Sequence, residues 1–225
     1  LLSRHDGTLP RQAIVRIWRE LLAATTAMQG RFVIAVAEPE SGAGLTQAAR
    51  EQFGALTPQR VHGSAAQAIA DLSNGRASVA VLPLPSEGEP PGRAWWTALM
   101  QKDEPRIHVV GRLPFWVRRI DGGTSAQALV AASFAADPSG ADRSLLGLEL
   151  DREISRARLI AALSAADLSP GNIITRRDAG SPVAQALVEV EGYVTDDDAR
   201  LTSLGTGFHK PIVLGAYAIP LGDPA

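Results

Sequence analysis

Short, unbroken apolar runs set between helix-patterned stretches constrain this chain more than any other feature. Residues 32–37 read Phe-Val-Ile-Ala-Val-Ala, and residues 79–84 read Val-Ala-Val-Leu-Pro-Leu. Runs of this length suit strands buried on both faces, the condition of a parallel sheet flanked by helices. Between them lie helix patterns at 45–53 and at 64–73, the second carrying Ala66, Ile69, Ala70 and Leu72 before an Asn74-Gly75 stop. The rhythm predicts an α/β lobe with a single parallel sheet over residues 31–136. A helix at 95–100 and strands at 107–110, 115–117 and 128–132 complete it, Pro114 splitting the middle two. Of the turn clusters Asp121-Gly122-Gly123 and Asp137-Pro138-Ser139-Gly140, the second is the better boundary. Beyond it, residues 142–225 read strand 145–150, helix 155–165, strands 172–176 and 184–191, helix 196–203 and strand 212–217. That βαββαβ order is the ferredoxin-like arrangement.

A different pattern precedes the lobe. Ile14, Ile17, Trp18, Leu21, Leu22, Thr25 and Met28 recur at three- and four-residue spacing. They mark one stripe of an amphipathic helix over 9–29, with Pro10 at its start and Gly30 at its stop. Such a helix at the edge of the lobe needs a partner. Leu1-Leu2-Ser3-Arg4-His5 reads like the end of an earlier helix, so residues 1–30 are expected to belong to a helical bundle.

Composition narrows the classes. In 225 residues there are 22 basic and 24 acidic side chains and no cysteine. A net charge of −2 argues against a nucleic-acid partner, whose affinity would rest on clustered Lys and Arg. Without cysteine there is no disulfide, thiolate metal site or cysteine nucleophile, which fits a cytoplasmic protein. No apolar run reaches the roughly 20 residues a bilayer crossing needs, so no membrane association is expected.

His5, His62, His108 and His209 are scattered without ligand spacing, and no Gly-x-Ser-x-Gly elbow occurs. No metal or cofactor is expected. The Glu40-Ser41-Gly42-Ala43-Gly44 loop precedes a helix, where free amides receive either an anion or nothing in particular. It fits neither phosphate-binding fingerprint. Asp196-Asp197-Asp198 is read as a helix cap and Trp95-Trp96 as an aromatic pair packed on the sheet. Thr25 and Gln29 are four apart and share the apolar face of the first helix. They either line a site inside a bundle or are a packed Thr and a terminal Gln.

Three stretches resemble a known family. Gly7-Thr8-Leu9-Pro10 with residues 13–22 resembles the last helix of the helical chorismate mutase domain that precedes a prephenate dehydratase in bacterial fusion enzymes. Residues 31–54 resemble the start of the dehydratase domain: Val33-Ile34-Ala35-Val36 as its first strand, Pro39-Glu40 as its turn, Gln47-Ala48-Ala49 and Phe53-Gly54 as its first helix. Gly75 to Pro83 is similar to its next strand. Asp142-Arg143-Ser144-Leu145-Leu146, Glu189-Val190-Glu191-Gly192-Tyr193 and Leu214-Gly215-Ala216-Tyr217 resemble the family's ACT regulatory domain.

The resemblance implies that Thr25 hydrogen-bonds a substrate oxygen and that Gln29 donates to a carboxylate or to the ether oxygen in a rearrangement of chorismate to prephenate. It also places the effector motifs at Ala157-Arg158-Leu159 and at Asp178-Ala179-Gly180-Ser181. The departures have consequences. The Thr-Arg-Phe of dehydratase catalysis is missing from its place, since Thr175-Arg176 is followed by Arg177 and falls in the ACT-like part. About 60 residues between Pro83 and Asp142 are too few for a second lobe, so no dehydratase turnover is expected. Ala157 and Arg158 stand where the family has Gly-Ala, which crowds a pocket built from main-chain groups. The expectation is therefore a chorismate mutase-type protein of aromatic amino-acid biosynthesis, with chorismate or prephenate as substrate, an aromatic amino acid as effector and a homodimeric assembly. The alternative is a non-catalytic regulatory or scaffold module binding an amino acid or a partner subunit. A solute receptor of the periplasmic type would need two lobes and an export signal.

Overall fold

The computed structural model describes residues 5–38, 42–90, 92–101, 104–116 and 126–221. Residues 1–4, the Pro39-Glu40-Ser41 stretch, Val117 and the turn expected at 121–123 lie outside them. Helix α1, Arg11–Gln29, comes first. Strand β1, Ile34–Ala37, helix α2, Leu45–Phe53, strand β2, Gln59–His62, helix α3, Ala65–Ser73, and strand β3, Val79–Pro83, follow. A short α4, Trp96–Leu99, precedes strands β4, His108–Leu113, and β5, Ala128–Ala132. The rest is β6, Asp142–Asp151, α5, Arg156–Ala165, β7, Pro170–Arg176, β8, Val183–Glu191, a 3₁₀ turn at Ala199–Ser203, and β9, Phe208–Ala218.

All nine strands form one mixed sheet in the order β2-β1-β3-β5-β4-β9-β6-β8-β7. The parallel lobe is realised only in part. Strands β2, β1 and β3 are parallel, but β5 runs antiparallel to both β3 and β4. The apolar run Ala-Leu-Val-Ala-Ala of β5 is buried throughout and carries no mark of direction, which is why the sequence could not reveal the reversal. Strands β6 to β9 take the order β9-β6-β8-β7, antiparallel throughout, with the connections of a βαββαβ unit. Its second helix, expected over 196–203, is shortened to the 3₁₀ turn, capped by the Asp198 carboxylate on the Arg200 amide (3.0 Å).

The sheet has two covered faces. On the front, α3 and α4 bring Ala68, Leu72, Trp95, Trp96, Leu99 and Met100 onto β1, β3 and the inner strands of the second half. Trp96 is fully buried, and Trp95 donates its indole N–H to the Pro83 carbonyl at 3.0 Å, so the Trp pair packs on the sheet as expected. On the back, α2 covers the first half through Leu45, Ala48 and Ala49, and α5 covers the second through Leu159 and Leu163.

Edge strand β2 escaped the sequence reading because only Val61 in it is apolar, and that side chain faces solvent. Polar contacts support it instead. Buried Asp71 of α3 accepts from Arg60 Nε at 2.5 Å and lies 2.8 Å from His62 Nε2.

Helix α1 rests on α2 and the Gly54-Ala55 turn along one side, from Ile14 to Ala23. Ile14 is buried, the Arg19 guanidinium donates to the Glu51 carbonyl (2.9 Å), and the Glu20 carboxylate receives the Ala55 N–H (2.9 Å). The rest of the stripe faces outward: Trp18 is 44% exposed, Leu22 59% and Met28 86%.

The two halves meet between β4 and β9, which share the single parallel register pair Val109↔Gly215. Gly215 has φ +136°, and a Cβ there would run into the backbone of Val109. Only glycine fits this close approach.

Candidate functional site

In open α/β sheets ligands gather beyond the carboxyl ends of the parallel strands, where successive connections leave in opposite directions. Here β1 leads outward to β2, and β3 returns on the other side of β1, so that point lies between β1 and β3. At the end of β1 the Glu38 carboxylate accepts the amides of Gly44 (2.8 Å) and Thr46 (2.6 Å). The chain's own carboxylate thus fills the start of α2, where the sequence left room for an anion. Burial opposes ionisation of Glu38, but hydrogen bonds from Thr46 and the Gly44 amide outweigh it and hold its pKa below the ordinary value.

At the end of β3, Leu84 and Pro85 border a cleft on the front face, with a cavity of about 50 Å³. Its walls combine both halves of the sheet. Arg112 comes from β4, Tyr217 from β9, Glu189 from β8 and Asn172 from β7. The Tyr217 hydroxyl donates to the Glu189 carboxylate, whose other oxygen receives Arg143 Nη1 at 2.9 Å. Arg112 Nη1 reaches the same carboxylate at 3.4 Å and the Tyr217 oxygen at 3.3 Å, while its Nη2 donates to the Gln127 side chain at 3.1 Å. Burial, followed by the Glu189 carboxylate beside it, pushes the Tyr217 phenol up to about 12, so it stays a donor. Arg143 stands behind the lining and pairs with Glu191 (3.9 Å) as well as Glu189, so the cleft itself presents Arg112, Glu189 and the Tyr217 hydroxyl beside an apolar rim of Leu84, Leu129 and Leu145. Such a set recognises a carboxylate through Arg112 and a cationic group through Glu189.

The loop over 84–90 ties this cleft to the end of the second half. Glu87 receives Arg156 Nη1 (3.3 Å) and the Thr175 hydroxyl (3.4 Å). Arg152 Nη1 donates to the carbonyls of Asp178 (2.7 Å) and Ser181 (3.0 Å), and Arg177 Nη2 to that of Ile154 (2.8 Å). The start of α5 and the β7–β8 turn are therefore stitched together. Ala157 and Arg158 lie exposed on that start, Leu159 is fully buried in the core under α5, and the Asp178 carboxylate is held by Arg176 (2.8 and 2.9 Å). Thr25 and Gln29 are both exposed on α1, and the Thr25 hydroxyl donates to the Leu22 carbonyl of its own helix at 2.9 Å. Neither borders the cleft. Sequence reasoning missed Arg112, Arg143, Glu189 and Tyr217 as one group. Arg143, Glu189 and Tyr217 sat within matched motifs, but nothing local links strands so far apart in the chain.

No helix among the described residues is long and apolar enough to cross a membrane. No protein-family model matches the chain, and no curated protein matches it. Solved structures do. GqqA, a quorum-quenching acylase, aligns over 83% of this chain and 94% of its own at 19% identity, with a TM-score of 0.60. A prephenate dehydratase from Streptococcus mutans aligns over 83% and 97% at 15% identity, TM-score 0.54. The prephenate dehydratase of Arthrobacter aurescens in complex with L-Phe aligns over 83% and 90% at 12% identity, TM-score 0.57. At these identities the likeness is one of backbone: this chain has a prephenate dehydratase-like fold.

Proposed function

We propose that the chain is a ligand-responsive regulatory module of aromatic amino-acid metabolism, binding an amino acid at the front-face cleft. The convergence of Arg112, Arg143, Glu189 and Tyr217 from both halves of the sheet carries this reading. A zwitterion presents a carboxylate to the Arg112 guanidinium and an ammonium to Glu189, and its side chain leaves past Leu84 and Pro85. The cavity of about 50 Å³ takes only the charged head, so the rest of the molecule must lie in the open part of the cleft. The L-Phe complex of the Arthrobacter aurescens dehydratase supports the ligand class. Ala157, Arg158, Leu159 and Asp178 are read as the neighbouring effector end, linked to the cleft through Glu87. Titration calorimetry with L-phenylalanine tests it. Binding is expected in wild type and a loss of about tenfold or more in Arg112→Met, the scale of a charge-assisted hydrogen bond. No heat of binding with L-phenylalanine or L-tyrosine would sink the proposal.

A second reading, chorismate mutase chemistry, is favoured by one observation: the half of α1 that carries Thr25 and Gln29 is an uncovered apolar face. In this reading helices of a longer parent chain or of a second copy cover Ile17, Trp18, Leu21 and Leu22, and supply the cationic groups that hold the substrate. The 225-residue chain alone is then expected to leave chorismate absorbance unchanged, and prephenate to give no phenylpyruvate above background. In an active parent, Gln29→Ala would cost roughly 2–4 kcal/mol of transition-state stabilisation. A parent that dimerises and still leaves chorismate untouched removes this reading. A chain whose mass in light scattering is that of a monomer at every concentration removes the second copy and leaves only the helices of a longer parent.

A further inference from the structure

Strand β7, at the outer wall of the front-face cleft, slips register against β8. Pro170 pairs with Val190 and Ile173 with Val188, so Gly171 and Asn172 together stand opposite Glu189. Such a bulge adds one residue to a strand and re-aims its side chains. Gly171 makes the room. A Cβ there would stand 2.8 Å from Arg143 Nη1 and 3.4 Å from Glu189 Oε1, so this bulge lies directly against that carboxylate oxygen. Asn172 shares the front face with Ile174, while Ile173 between them packs in the core under α5. It borders the cleft, is exposed, and among the described residues its side-chain amide makes no hydrogen bond.

The donors already on Glu189 decide what this amide can do. An ionised carboxylate offers about four acceptor sites. Glu189 Oε2 receives the Tyr217 hydroxyl and Arg112 Nη1, and Oε1 receives Arg143 Nη1 at 2.9 Å. One site is left, on Oε1, the oxygen beside Gly171. An ammonium brings three N–H donors, so Glu189 alone cannot satisfy it, and a donor left unpaired as the cleft sheds water is costly. The Tyr217 oxygen is taken by Arg112. Among the side chains that border the cleft, the Asn172 oxygen is the acceptor not yet engaged.

Resting on the amino-acid reading of this cleft, we infer that Asn172 is the second acceptor of the ligand's ammonium and makes the cleft selective for α-amino acids over acids that lack the amino group. The third N–H stays with water in the open part of the cleft. Titration calorimetry on the 225-residue protein compares L-phenylalanine with 3-phenylpropanoate, which keeps the ring and the carboxylate and lacks the ammonium. Wild type is expected to prefer L-phenylalanine by about tenfold or more. Asn172→Ala should weaken L-phenylalanine about tenfold, the worth of one charge-assisted hydrogen bond, and leave 3-phenylpropanoate unchanged. Asn172→Asp, which keeps an oxygen at that place, should retain the preference. Arg112→Met should weaken both ligands, since both carry the carboxylate. Equal affinity of wild type for the two ligands, or an Asn172→Ala variant that weakens both alike or neither, overturns the inference and leaves the cleft standing as a carboxylate site. A wild type that binds neither ligand overturns both.

Discussion

Gly215 lies against the Val109 main chain where the halves join, with no room for a Cβ, and the consequence is measurable. Gly215→Ala places a methyl group against the Val109 main chain at a φ that L-residues rarely adopt. A loss of roughly 3 kcal/mol or more is expected, because neither backbone can yield without breaking its own ladder. Chemical denaturation checks it, and a loss below 1 kcal/mol would mean that the junction yields. Glu38 gives a gentler case. Its carboxylate caps the start of α2, so Glu38→Gln should cost about 1 kcal/mol at neutral pH. Its pKa is depressed on folding, so the contribution is present above the unfolded value and lost as pH falls through the folded one. Wild type and variant should therefore converge in acid. Both residues lay in motifs matched from sequence or directly beside one. The motifs showed that something was required there, but not the main-chain approach or the filled helix start that require it.

Among the elements, α1 is attached along one side and free on the other. Glu20→Ala removes the acceptor of the Ala55 amide, and hydrogen exchange in α1 should accelerate while the global denaturation midpoint moves little. A fall in that midpoint of more than about 1 kcal/mol would show α1 to be part of the cooperative core. Helix α2 and strand β5 matched their expected bounds, because uninterrupted periodicity or a short apolar run identifies such segments directly. Strand β2 left no such mark: its place is set by parallel pairing with β1 and by Asp71, contacts that no local pattern encodes. The 196–203 segment failed differently. Its three aspartates signal a helix start, but Asp196 reaches away to Arg106 of the other half and only Asp198 caps the turn that forms.

At the scale of the molecule, the sequence separated two halves at the 137–140 turn, and the sheet joins them. Such a join is invisible to pattern reading, since only contacts distant in sequence make it: the Val109–Gly215 pair, the Trp116–Leu221 bridge and a front-face core shared by both halves. Arg106 bonds Asp196 and the Val213 carbonyl (2.8 Å), and His108 stands beside that pair. Burial, with the Arg106 charge added and Asp196 opposing, holds the His108 imidazole below its ordinary pKa. Stability from a neutral His108 is full above its unfolded value of about 6.5 and declines as pH falls through the folded one. His108→Gln should flatten that decline, which thermal melts between pH 7.5 and 5 would register; parallel curves would remove His108 from the account. The order of the strands also makes the protein divisible, since β1 to β5 and β6 to β9 each stand together in the sheet. Cut at Pro138, the chain yields one fragment with strands β1 to β5 and another with β6 to β9, each keeping its own internal ladders. Each exposes one strand edge that only the other completes. Co-expressed, the two fragments should reassemble without a covalent link, which makes this chain a natural split reporter whose signal appears only when both pieces meet.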